Sequence, residues 1–152
     1  MNLLLLFLLL FNNVSQGILT GTAVKVADGD TFTLLDSNNK QIKIRLYGID
    51  CPERGQDYGS VATKFLGDKL KSGAIKVKIM DIDRYGRTVG IVYVNDEDIN
   101  LALLKAGFAW HYKQFDKSKE YAEAEANARV KKLGLFKQGN AIAPWDWRKK
   151  KK

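Results

Sequence analysis

ILTGTAVKVADGDTFTLLDSNNKQIKIRLY, residues 18–47, places three β-rich runs in succession with only turns between them. Ile18–Ala27 and Thr31–Leu35 flank Asp28-Gly29-Asp30, and an Asp-Gly pair between such runs predicts a hairpin. Asp36-Ser37-Asn38-Asn39 is a second turn-rich set. Gln41–Tyr47 then alternates, with Ile42, Ile44 and Leu46 on one face and Lys43, Arg45 and Tyr47 on the other. Parallel strands need a crossover connection, and these runs leave no room for one, so a doubly wound parallel sheet is disfavoured.

Downstream the period changes. Tyr58, Val61, Ala62, Phe65, Leu66, Lys69 and Leu70 fall on one helical stripe that only Lys69 interrupts, with Asp57 as the expected N-cap and Gly73 beyond the end. Ile75, Val77 and Ile79 alternate with lysines as a fourth strand. Asp83-Arg84-Tyr85-Gly86-Arg87 turns into a fifth, Thr88–Val94. Asp98 is placed to cap a short helix, Ile99–Ala106, closed by Gly107. A third, Ala-rich helix covers about Ser118–Leu133, with Glu125 and Arg129 one turn apart. Residues 139–152 read as an irregular aromatic and basic arm. Five short strands among three helices predict an α+β fold, a five-stranded β-barrel of the oligonucleotide-binding (OB) type over residues 18–138.

At 152 residues the chain suits one domain, and 45% hydrophobic content suffices for a core. The net charge of +8 favours a polyanionic partner, although the tail 146–152, five cations and Asp146, contributes half of it. Cys51 is the single cysteine, so no intramolecular disulfide forms. Leu3–Phe11 is an apolar run too short to span a bilayer as a helix. With Ser15 and Gly17 behind it, residues 1–17 read as a signal peptide and the protein as exported, secreted or periplasmic. The alternative is an uncleaved membrane tether through residues 3–11, since no Lys or Arg precedes the apolar run.

Three clusters carry candidate chemistry: Asp28-Gly29-Asp30-Thr31, the stretch from Arg45 to Glu53 (RLYGIDCPE), and Asp83-Arg84-Tyr85-Gly86-Arg87. Each alone is common. Arg45 points away from the core its strand borders, and a guanidinium fork meets phosphate oxygens two at a time. Pro52 holds Asp50 and Glu53 close as the strand gives out. With Asp30 from the nearby turn they form a hard-oxygen pocket able to hold Ca²⁺, whereas Zn²⁺ would want His and Cys clusters that one His and one Cys cannot supply.

The ordered set Asp-Gly-Asp-Thr, Arg-x-x-x-x-Asp-x-Pro-Glu and Asp-Arg-Tyr-Gly-Arg closely resembles the staphylococcal (micrococcal) nuclease, or thermonuclease, family over roughly residues 18–136. The resemblance implies the same barrel with three helices and a Ca²⁺-dependent endonuclease acting on DNA and RNA. Little sequence specificity and 3′-phosphate ends are implied with it. Asp30 and Asp50 then match side-chain ligands of Ca²⁺, and Cys51, where the family often has Thr, a backbone-carbonyl ligand. Glu53 matches the carboxylate that activates or positions the attacking water. Arg45 and Arg87 match the arginines on the scissile phosphate. Arg84 and Tyr85 match contacts to a terminal phosphate, and Tyr112 a nucleotide-contacting aromatic. No stable protein partner is implied, and a monomer is expected.

Two features depart from the family pattern. Four residues separate Glu53 from Tyr58, shorter than the family's mobile loop, and the arm with Trp145 and Trp147 extends past the family's usual end. The arm is expected either to clamp onto the barrel or to add nucleic-acid affinity by stacking and counterion release. His111, without a second His, reads as a packed residue. The alternative function is a non-catalytic nucleic-acid-binding barrel, against which stands the intact set of Asp30, Arg45, Asp50, Glu53 and Arg87.

Overall fold

Strand pairing closes the sheet on itself in the computed structural model, which describes residues 17–152. The leader, with the expected signal peptide and the tether at residues 3–11, falls almost wholly outside the described residues. Strand β1 (Ile18–Asp28) pairs antiparallel with β2 (Thr31–Leu35), and β2 with β3 (Gln41–Leu46). A two-residue strand β4 (Ile49–Asp50) follows, then helix α1 (Gly59–Leu70). Strand β5 (Ile75–Ile82) lies against β1 and against β6 (Thr88–Val94). The order β3-β2-β1-β5-β6 is completed by a parallel β3–β6 pairing, Arg45 opposite Val89, which makes the five strands a closed barrel.

Short pieces finish the architecture. Strand β7 (Glu97–Asp98) edges β6 and leads into α2 (Ile99–Lys105), whose N-terminus Asp98 caps through Leu101 N–H. Strand β8 (Trp110–His111) pairs with β4, setting Asp50 opposite Trp110. Helix α3 (Lys119–Val130) starts at Ser118, whose hydroxyl accepts from Tyr121 N–H, and carries the Arg129–Glu125 pair at 3.1 Å. Among the described residues no helix is long and apolar enough to cross a membrane.

The core is what alternation demands. Phe32, Leu34, Ile44, Leu46, Val77 and Val92 point into the barrel and are essentially buried, while α1 closes one side with Ala62, Leu66 and Leu70. Asn100 is fully buried as well, and its amide is satisfied. Its Oδ1 accepts from Val92 N–H, and its Nδ2 donates to the carbonyls of Tyr47 and Gly90.

Two details differ from the sequence reading. Asp57 does not cap α1. Tyr58 occupies the cap position at φ 67° with no side-chain cap, which leaves Asp57 one residue outside it, and Gly59 N–H donates to Gln56 O. Gly59 is needed there, since a Cβ would come 2.2 Å from Glu53 O. The arm is not irregular either: Pro144–Lys150 is a fourth helix, α4. Pro at the first turn, Asp146 in that turn and Arg148, Lys149 and Lys150 in the last complement the helix dipole.

Because Phe32 is fully buried in a closed barrel, Phe32→Ala should cost about 3–5 kcal/mol in urea denaturation. Lys43→Ala on the outer face of β3 should stay within about 0.5 kcal/mol of the parent.

Candidate active site

The Asp28-Gly29-Asp30 turn lies flat on its neighbours. A Cβ on Gly29 would come 2.6 Å from Ala62 Cβ of α1 and 2.9 Å from Cys51 Cβ. That close approach delivers the Asp30 carboxylate to Cys51 N–H, which donates to Oδ2 at 2.7 Å, and Thr31 Oγ1 donates to Oδ1 at 3.2 Å. Asp28 Oδ1 accepts from Asp30 N–H at 3.1 Å, so two carboxylates share one turn.

Arg45 points outward from β3, as its alternation requires, but not into open water. Its side chain is only 14% exposed. Nη1 donates to the carbonyls of Leu46 at 2.7 Å and Ile49 at 3.0 Å, so the chain from β3 to β4 wraps around the guanidinium. Nη2 lies 3.3 Å from Asp50 Oδ1 and 3.4 Å from Asp30 Oδ2. Burial opposes the charge on Arg45, yet Asp30 and Asp50 outweigh it and raise its pKa further. Removing one member of such a buried cluster typically costs about 3–5 kcal/mol, because a charge is left uncompensated.

Asp50 is the most buried acid of the group, its side chain 2% exposed. Burial pushes its pKa up, opposed chiefly by hydrogen bonds from Arg148. After Pro52, Glu53 is held at both backbone ends by Gln56. Glu53 N–H donates to Gln56 Oε1 and Gln56 N–H to Glu53 O, both at 3.0 Å. Gln56 Nε2 also donates to Ile142 O at 2.6 Å, tying the same segment to the C-terminal arm. From α4, Arg148 reaches both acids: Nη2 to Asp50 Oδ2 at 2.8 Å and Nη1 to Glu53 Oε1 at 2.6 Å.

The structure thus brings Asp30, Arg45, Asp50, Cys51 and Glu53 together. Arg87, in contrast, holds Asp83 Oδ2 at 2.7 Å and lies over the Tyr85 ring. By strand alternation it still shares a face with Val89, the partner of Arg45. Arg84 and Tyr85 are exposed beside it, Arg84 Nη2 donating to Tyr85 Oη at 2.9 Å. Tyr112 has Trp145 stacked on it, ring centres 5.5 Å apart. His111 is a packed residue, Nε2 bonded to Asp116 Oδ2 at 2.8 Å. A cavity of about 140 Å³ lies under the arm among Pro52, Tyr58, Trp110, Leu135 and Trp147, and none of the clustered acids lines it.

Gln56 and Arg148 are the members that motif reading passed over, and Asp28 stood in its motif without a role of its own. Arg148 had one signal: it is the single Arg at the head of a Lys run, and only Arg offers a planar fork to two carboxylates.

The donor set bears on a metal. Among the described residues no three acidic, His or Cys side chains form a ready-made cage. Arg45 and Arg148 are bonded to the acids instead. The Cys51 thiol is no ligand, being buried with its pKa pushed well up by burial and by Asp30. A cation here would have to be a hard one held by few protein oxygens, those of Asp30 and Asp50, with water completing the shell.

A family model described as staphylococcal nuclease homologue matches residues 43–138, spanning Arg45 through Arg87. The chain belongs to the staphylococcal nuclease family. It is 40% identical, over 99% of its length and 84% of the relative's, to a Haemophilus influenzae protein called an uncharacterized endonuclease. A Shigella flexneri micrococcal nuclease is 37% identical over 87% of this chain and 82% of its own. A staphylococcal-like nuclease of Arabidopsis thaliana is 42% identical over 74% of this chain but 35% of its own length. This protein is a nuclease, and nucleic acid is its substrate.

Crowding at the turn has a pH signature. Burial and then the adjacent Asp30 push the Asp28 carboxyl up to about 7. The folded nuclease therefore holds that proton more tightly than the unfolded chain. The associated stability is full below about pH 4 and is lost as pH rises through about 7. With chelator present, Asp28→Asn should show a smaller fall in Tm than the parent between about pH 4 and 8. Parallel Tm–pH curves would count against the crowding.

Proposed function

We propose that this nuclease is an exported, Ca²⁺-dependent endonuclease that hydrolyses DNA and RNA with little sequence preference and leaves 3′-phosphate ends. Residues 18–138 form the nuclease domain behind a signal peptide at 1–17, and the protein acts as a monomer with no stable protein partner. The reading rests on one observation: two nearly buried carboxylates, Asp30 and Asp50, lie against the Arg45 guanidinium, with Glu53 bracketed beside them.

The chain's own groups divide the work. Asp30, Asp50 and the Cys51 carbonyl would hold Ca²⁺, which would supply charge neutralisation and polarisation of a phosphate oxygen. Glu53, on a short segment clamped by Gln56, positions a water and takes its proton. Arg45 is already fixed by two carbonyls, so its orientation costs nothing at the moment of reaction, and it meets the charge that develops on phosphorus. Arg87 joins it from the same barrel face after exchanging Asp83 for phosphate. Arg84 and Tyr85 grip a terminal phosphate, and Tyr112 stacks on a base. Contacts of this kind reach backbone phosphates, which accounts for weak sequence preference.

Single-stranded DNA and RNA should be degraded with Ca²⁺ and spared with excess chelator. Glu53→Gln should slow cleavage by about 10²–10⁴-fold and Arg45→Ala by at least about 10²-fold. Full activity in chelator, or an undiminished Glu53→Gln rate, would overturn the assignment. Phosphatase-sensitive 3′ ends on the products check the polarity of cleavage.

A further inference from the structure

We propose that α4 is a latch that closes the active site from within the chain, Arg148 competing with the divalent cation for Asp50. The proposal rests on the reading of Asp50 as a metal ligand. In the structure both oxygens of Asp50 are taken by Arg148, Oδ1 from Nη1 at 3.3 Å and Oδ2 from Nη2 at 2.8 Å. Arg45 shares Oδ1. Glu53 Oε1 accepts from the same Arg148 Nη1 at 2.6 Å. One guanidinium therefore ties up both the proposed metal ligand and the proposed base. Asp50 cannot offer its oxygens fully to another cation while this fork is in place.

A second, independent contact closes the same region. Trp145, one helical turn before Arg148, stacks on Tyr112 with the ring planes 16° apart, and its edge meets Trp110. The ring read as the nucleotide-stacking aromatic is thereby covered by the arm that plugs the carboxylates. The hinge is the Gln56–Ile142 bond, so the segment that holds Glu53 also anchors the latch.

The latch is built to open. The Arg148 side chain is 41% exposed although the Asp50 carboxylate it holds is only 2% exposed, so water reaches the guanidinium and can take it over as it leaves. Helix α4 has seven residues, too few to persist without its contacts. A state closed about nine-tenths of the time weakens apparent cation affinity about tenfold.

The test is calorimetric titration of Ca²⁺ alone into the full chain at fixed ionic strength, without nucleic acid. Arg148→Gln should bind Ca²⁺ about 5- to 20-fold more tightly than the parent. Trp145→Ala, which loosens α4 without changing charge, should bind about 2- to 5-fold more tightly. Lys149→Ala, the same charge lost one residue along, should stay within about twofold. Saturating Ca²⁺ should accelerate amide hydrogen exchange across residues 144–150 in the parent. Equal affinities and unchanged exchange would overturn the latch and leave the metal site standing. Tightening in Lys149→Ala to match Arg148→Gln would reduce it to bulk electrostatics. Weaker binding in Arg148→Gln would make Arg148 a helper of the metal and end the proposal. No Ca²⁺ binding by any variant would overturn the latch and the metal reading together.

Discussion

Carboxylate repulsion is the constraint on which this nuclease is built. Asp28, Asp30, Asp50 and Glu53 gather at one rim of the barrel, where water is scarce and like charges resist one another. Arg45 makes the assembly tolerable. It spends one nitrogen on two carbonyls, which fixes it, and the other on Asp30 and Asp50. A guanidinium held this way serves two states. It balances acids in the resting protein and, in the proposed mechanism, would already be aimed when a phosphate arrives. Under the proposed mechanism a hard cation would answer the negative charge that Arg45 leaves over once Arg148 withdraws.

Holding such a cluster requires stiffness from elsewhere. The closed barrel provides it: there is no free edge between β3 and β6 to relax the rim. Gly29 lets the acidic turn sit directly on α1, and Gly59 lets that helix begin against Glu53. Gln56 then fastens the short connection from both sides. Where longer connections would swing, this one is pinned, so the geometry at Glu53 is set by packing more than by loop motion.

Much of this was legible in the residues. The alternation of Gln41–Leu46 fixed which way Arg45 would face, and the Asp-Gly pair located the turn carrying Asp30. Local pattern also found α2 and α3, whose caps Asp98 and Ser118 lie next to the helices they start. Contacts between distant segments were not legible. Gln56 resembles any polar loop residue until Ile142 is beside it. A clamp of the arm onto the barrel was one of two expectations and Trp145 on Tyr112 provides it, but nothing local singles out Arg148 as the side chain that reaches Asp50 and Glu53. The Asp57 cap failed for a related reason: local chemistry favoured it, but Gly59 and Gln56 settled the helix start through their contact with Glu53. A helix in the arm had its signs in Pro144 and Asp146, which aromatic content obscured.

The parallel pairing of β3 with β6 has one more effect. It places Arg45 and the residue two places after Arg87 side by side in a single hydrogen-bonded register. Slipping that register by one residue would turn Val89 and its companions to the opposite face and bring the apolar set out with them. A mispaired chain would thus lose its oily interior and the shared outer face of Arg45 and Val89 in one step, so the register that builds the core is the same one that sets the rim.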